Sequence, residues 1–441
     1  MIKSVETFFI YFFLLIPITL IAGPAIPDIT ITFGGIFFII LLITNSKYNK
    51  IIYQNWVKIS FIFWLYIIFI SFFAINRIVS IQESLIFIRL LFIPIMLYYW
   101  ILEENFHFKT LIYIIFFAII FVCFDSIYQF FSYNSEYGFG KDLFGYIPDF
   151  APYNRLTGPF KDLVPGAFIS KFSLIGLVFI LINTKNKNFE NFFIITYLTL
   201  IGLVTFISGE RMAFATYMLG LFLLLIFASK RRFTFVLSIL IIFILTTIII
   251  KMHPSYNDYS IIDSKSHEMG LLIEKEFQCN ENEKVNCKKI TRYQPKFIEV
   301  IKDFKNSAYG EIYLLSLKIF KENTITGIGL NNFQILCENN IKYNSTLKNI
   351  GCVTHPHNFY LQWLVESGPI GLILFLIYIF FIIKKILYKQ KINFITLLSL
   401  ITLVIIFWPI MSTGSLLKNW MGISTFYIIG ISLSLPKIKL K

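Results

Sequence analysis

The sequence predicts an all-α polytopic membrane protein, with about twelve transmembrane helices and a large external loop between the ninth and the tenth. Three observations carry this prediction. Of the 441 residues, 57% are hydrophobic and only 15% charged, and mean hydropathy is +0.72, well outside the range of soluble domains. Apolar runs close to the roughly 20 residues that a helix needs to cross hydrocarbon recur along the chain. Basic residues gather in alternate connections between those runs.

The span cores fall at 8–21, 31–44, 57–73, 85–101, 111–131, 164–182, 192–207, 212–228, 233–250, 370–383, 394–411 and 420–433. The first has Lys3 ahead of it and Ala22 and Gly23 behind, the outline of a signal peptide; the many spans that follow make it an uncleaved helix. Lys47 and Lys50, Lys185 and Lys187, Lys230 to Arg232, Lys384, Lys385, Lys389 and Lys391, and finally Lys437, Lys439 and Lys441 fall in alternate connections. These are expected on the cytoplasmic side, with both termini. Arg77 and Lys418 fall on the other side, and the turn with Lys109 also holds Glu103 and Glu104, without reversing the trend. The net charge of +14 therefore reads as topology, and no nucleic-acid partner is expected.

Two long connections, 132–163 and 252–354, fall on the outer side, and the second is long enough to fold, with short helices expected. The chain thus reads as one membrane domain in three stretches: 1–251 with nine spans, 252–354 as an external lid, and 355–441 with three more spans. Four of the five cysteines lie in the lid: Cys279 and Cys287, then Cys337 and Cys352. An even set there suits an oxidising compartment, with either local pair a disulfide candidate, whereas Cys123 within a span reads as packing. Phosphate-loop, dinucleotide-binding and paired-cysteine zinc patterns are absent from the sequence, so no cofactor or metal is expected.

Three polar clusters face outward. "NRLTGPFKD", 154–162, has Gly158 and Pro159 at a turn bracketed by Arg155 and Lys161; an interfacial anchor explains it as well as a binding role does. "SGERMAF", 208–214, puts Glu210 and Arg211 in a tight outward hairpin, where an arginine is unneeded for structure and runs against the inward charge bias. "THPHNFYLQWLVESGP", 354–369, sets Pro356 near a helix start, with His357 or Asn358 at its N-terminal end and an apolar run following. His355 and His357 alternate with no third ligand nearby, which argues against zinc; they either cap and stack, or transfer protons near neutral pH. Arg89, Asp125 and Lys171 sit within apolar runs and should face the bundle interior or one another.

"THPHNFYLQWLVESGPIGL" resembles the signature of the bacterial O-antigen ligase and polymerase family, polytopic inner-membrane glycosyltransferases. "RLTGPF", "SGERMAF" and "SLKIFKENTITGIGLNNF" look like family elements in the expected order, so the resemblance covers about 125–371. It implies a donor glycan on a polyprenyl diphosphate, an acceptor hydroxyl on a glycan or on the lipid A core, and a site on the periplasmic face. Such a transfer needs a base for the hydroxyl and a cation for the departing diphosphate. The resemblance points to His357 as base supported by His355, and to Arg211 and then Arg155 for the diphosphate, because the guanidinium fork stays charged and donates paired hydrogen bonds. Lys161, Glu210 and Asn358 join them as substrate-binding candidates. Many ligases carry a further arginine shortly before the Gly-x-Gly stretch; this chain has Tyr309, Gly310, Glu311 and Tyr313 there, and Arg292 is the nearby substitute. Gly327 and Gly329 are expected to form a turn, with Asn331 and Asn332 either structural or open to sugar hydroxyls. Three readings follow: a ligase transferring to the lipid A core, a polymerase joining lipid-linked repeats, and a transporter or flippase without chemistry. Sparse intramembrane charge argues against the third, and a protein acceptor remains a variant of the first.

Overall fold

The structure, a computed structural model, describes residues 2–102, 105–133, 139–147, 155–162, 164–256, 302–347, 351–388, 392–410 and 412–437, and the backbone of 261–268 and 271–277. Each apolar run of the sequence is helical. The helices are α1 (Ile2–Leu14), α2 (Ile16–Ala22), α3 (Ala25–Thr44), α4 (Asn55–Ser71), α5 (Arg77–Met96), α6 (Asn105–Phe131), α7 (Pro165–Asn183), α8 (Lys187–Ile207), α9 (Arg211–Phe227) and α10 (Arg232–Met252). After the long loop come α11 (Ala308–Glu322), α12 (Phe333–Glu338), α13 (Ile341–Asn344), α14 (Phe359–Leu387), α15 (Phe394–Ile406) and α16 (Asn419–Ser434).

Asparagine starts several of these helices. Asn76, Asn186, Asn358 and Asn393 each accept a hydrogen bond from a backbone N–H of the first turn of α5, α8, α14 and α15, satisfying donors that no helical carbonyl can reach. Pro94 interrupts α5, and one π-turn, Leu97–Ile101, follows it.

Seven described helices are long and apolar enough to cross a membrane, or eight if the α1–α2 pair, bent by 59° at Leu15, is one broken span. The expected count of about twelve spans is therefore not reached among the described helices. α4 and α9 have 17 residues, α15 has 13 and α16 has 16. The long loop between α10 and α14 also departs from the expectation of short helices alone: it contains an antiparallel hairpin, β1 (Ile261–Glu268) with β2 (Leu271–Phe277), besides α11 to α13.

The chain divides into two compact units, residues 1–116 with 312–441, and residues 117–311. In the first unit, α4 packs on α14 and α5 on α16. Trp363 sits at the centre, its ring 4.8 Å from Phe63 and 5.5 Å from Phe87, edge to face in both cases. Arg89 is neutralised here by Asp28 of α3, and Asn419 of α16 closes the triad by accepting from Arg89 and donating to Asp28. The intramembrane arginine thus takes a carboxylate other than Asp125. In the second unit, α7 is buried nearly all round by α8 and α9, and α10 packs on α8 and α9. Tyr197 donates to the Ser173 carbonyl at 2.8 Å and Tyr217 to that of Leu198 at 2.6 Å, so the buried phenols are satisfied by backbone.

Candidate functional site

In the first unit, the polar centre is the entrance to α14. Asn358 is its N-cap: its side-chain oxygen accepts from Tyr360 N at 3.0 Å and Leu361 N at 3.1 Å, and its amide donates to Pro409 O at 2.8 Å. The helix therefore begins one residue later than Asn358, and Pro356 stands outside it. His357 has φ +54°, a left-handed conformation that few residues other than glycine adopt. Its carbonyl accepts from Thr413 N at 2.8 Å, which fixes the turn against the connection between α15 and α16.

The two imidazoles lie 4.1 Å apart, centre to centre. His355 Nε2 lies 3.2 Å from the Thr413 carbonyl, which can only accept, so Nε2 carries the proton. Nδ1 then accepts from the Thr354 hydroxyl at 2.7 Å. Burial, with the His357 ring beside it, pushes the basicity of His355 down to about 3; burial also lowers that of His357, against the opposing bond to Thr413. Both rings are neutral at neutral pH. Beneath them Gln362 donates to Ser415 Oγ at 2.7 Å and to the buried Glu366 carboxylate at 3.2 Å. Thr413 and Ser415 were invisible as site residues in the sequence, where "STGS" is merely a polar interruption before the last apolar run.

The glycine-rich turn is structural and braces the same helix. At Gly368 (φ +69°) α14 breaks, and Pro369 cannot donate to the Val365 carbonyl four residues back. Ile328 N and Gly329 N take over, donating to Val365 O and Glu366 O, each at 3.0 Å. Gly327 (φ +71°) comes so close that a β-carbon there would stand 2.6 Å from Val365 O. The two asparagines are occupied within the chain. Asn331 donates to Glu83 at 3.0 Å, and Asn332 accepts from Asn76 N at 2.9 Å. Below them, Leu315, Ile319, Phe333 and Cys337 form an apolar core, and Cys337 is bonded to Cys352, one of the two expected local pairings. Cys279, Cys287 and Arg292 lie outside the described residues.

In the second unit, the turn between α8 and α9 makes an electropositive knot. Gly209 (φ +76°) closes α8, and Glu210 precedes α9 without capping it. The carboxylate reaches instead to the start of α7, accepting from Gly166 N at 2.7 Å and Ala167 N at 3.2 Å, where unpaired N–H groups favour an anion. Burial pushes Glu210 up to about 7 even though Arg155, those two N–H donors and Lys171 all favour its charge. Leu156 N donates to Ser208 O at 3.2 Å, so the Arg155 turn is bound to this hairpin. Arg155 and Arg211 lie near enough for their charges to repel, and Arg155 Nε is buried with no hydrogen-bond partner among the described residues. The Glu210 carboxylate thus feels the charges of Arg155 and Lys171, and Arg155 in turn that of Arg211. Lys161 stands apart from this knot, 5.7 Å over the Tyr146 ring.

Among the described residues no three His, Cys, Asp or Glu side chains form a group that could hold a metal ion. A family model described as O-antigen ligase matches residues 195–376, which include the Glu210–Arg211 turn, the glycine turn and the histidine motif but not Arg155. No curated protein matches the chain.

Proposed function

Through residues 195–376 the chain belongs to the O-antigen ligase/polymerase family, and from that premise we propose that it transfers a glycan from a polyprenyl-diphosphate carrier to an acceptor hydroxyl of the lipid A core, at the periplasmic face of the inner membrane. The observation that carries this reading is the pair of adjacent imidazoles at the entrance of α14, His355 buried and His357 half-buried, both with lowered basicity. A base for a sugar hydroxyl must be unprotonated when the acceptor arrives, and burial supplies that condition. His357 takes the proton as the hydroxyl oxygen bonds to the anomeric carbon. His355, tied at both nitrogens, holds its neighbour's position.

The second requirement is charge. As the bond from the anomeric carbon to the diphosphate breaks, negative charge grows on the leaving group, and Arg211 with Arg155 meets it. Two guanidinium groups close enough for their charges to repel favour an incoming anion. In this reading no divalent ion takes part in the transfer itself.

A polymerase is the second reading, favoured by the absence of arginine at Tyr309, Gly310, Glu311 and Tyr313. A strain lacking the gene distinguishes the two. Long glycans stranded on the polyprenol carrier, with bare lipid A core, are the expected result; a single repeat on the core would make it a polymerase. No change in either pool would overturn both.

A further inference from the structure

The second unit holds a polar pocket that the transfer chemistry leaves unused. Asp125, in the last third of α6, and Asp142, in the loop beyond it, are 0% and 3% exposed. Each uses a single carboxylate oxygen. Asp125 Oδ1 accepts from Leu143 N at 2.9 Å, and Asp142 Oδ1 accepts from Phe144 N at 2.9 Å and Tyr146 N at 2.7 Å. The other oxygen of each, and the hydroxyl of the fully buried Ser126, have no hydrogen-bond partner among the described residues. Gly158 (φ +51°) covers this place from the Arg155 turn: a β-carbon built on it would lie 2.7 Å from Ser126 Oγ and 3.8 Å from Asp125 Oδ2. The carboxylates also feel each other's charge.

Buried carboxylates with idle oxygens and no ion pair among the described residues are costly. We propose that the free oxygens of Asp125, Asp142 and Ser126 bind a hard divalent cation, Ca2+ or Mg2+. Two carboxylate oxygens and a hydroxyl are the ligands such ions prefer, and they carry the charge that a divalent ion cancels. The missing side chain at Gly158 leaves room beside them. The ion is structural: it touches neither donor nor acceptor. It binds where Gln129, one turn further along α6, already grips the same turn, accepting from Thr157 N at 3.0 Å and Gly158 N at 2.9 Å. Occupancy therefore stiffens the segment that carries Arg155.

The test uses the full-length protein in detergent, stripped with a chelator and dialysed, and it reads ion binding rather than sugar transfer. Adding CaCl2 or MgCl2 is expected to raise Tm by several degrees, with one ion bound per chain in equilibrium dialysis. Asp142→Asn should abolish both effects, and the milder Ser126→Ala should weaken the apparent affinity several-fold while the protein stays folded. An unchanged Tm together with no bound ion at millimolar concentration would overturn the proposal, as would an Asp142→Asn protein that responds like the wild type. Stabilisation by acid alone, without any ion response, would mean that the two carboxylates share a proton, and would overturn it too. Should Asp142→Asn fail to fold, the dialysis on the wild type and the Ser126→Ala affinity still decide.

Discussion

At the scale of the residue, the two histidines divide their work by what holds them. His355 is fixed at both nitrogens, while His357 lies on a strained turn whose carbonyl is pinned by Thr413. His357→Ala is expected to abolish transfer while the protein remains inserted and folded. Arg211→Ala should lower it by about a hundred- to a thousand-fold, the usual loss when a charge-stabilising donor is removed. Both are read by glycan transfer with purified donor and acceptor; near-wild-type turnover in either would remove that residue from the site. The lowered basicity of His355 also sets a pH dependence. Its folded value of about 3 lies below the ordinary 6.5, so the unfolded chain binds the proton more readily. The stability that it contributes is complete above pH 6.5 and falls as the pH drops from there toward 3. Melting curves taken from pH 7.5 to about 4.5 should show a progressive loss of Tm, and His355→Gln should flatten it. The residue types and their spacing were legible in the sequence. Their neutral state was not, because it comes from burial against a connection far along the chain.

At the scale of the element, α14 is the clearest case of a feature half written in sequence. Gly368 and Pro369 announce a break, but only packing reveals what receives the carbonyls that the break releases. The "TGIG" turn could equally be read as a sugar-binding loop until Ile328 and Gly329 are seen to bond to α14. Gly327→Ala combines a left-handed φ with a clash against backbone, and should cost about 1 to 3 kcal/mol, measured as a fall in thermal stability. The Cys337–Cys352 bond closes a short loop over the same apolar core, with a sequence separation of 15. Its removal by Cys352→Ser should cost about 3 kcal/mol and leave the chemistry intact; labelling of both thiols in the folded wild type would refute the bond. Two cysteine pairs were open in the sequence, since spacing alone cannot choose connectivity.

At the scale of the whole molecule, composition and apolar runs located the described helices that are long and apolar enough to cross a membrane, because lipid forces backbone hydrogen bonds inward and leaves little choice but helix. Helix length was less legible. The run at 394–411 reads as one span, yet its helix ends at Ile406, where Pro409 and the polar "STGS" begin the connection that meets His357. Counting helices by length alone gives seven or eight, so parity is a useful check on the expected twelve. Reporters that work only in a reducing compartment, fused to Met1 and to Lys441 in turn, should give the same signal at both ends. Opposite signals would require an odd number of crossings.

The bonds that hold α14 just ahead of its break have a mechanical consequence. Ile75 N donates to the carbonyl of Ile328, Leu330 N donates to Ser80, and Ile328 and Gly329 bond to Val365 and Glu366 just ahead of the break, so the start of α5, the glycine turn and the N-terminal arm of α14 are coupled in series. A proline-kinked helix left to itself would act as a hinge. Here the N-terminal arm is tied to the glycine turn up to the fold point, and swinging that arm away from the start of α5 would cost several hydrogen bonds at once. Any movement that accompanies substrate entry in this unit must therefore carry the histidine turn, the kink and the glycine turn together as one rigid lever, with its flexing confined to the connections at its ends.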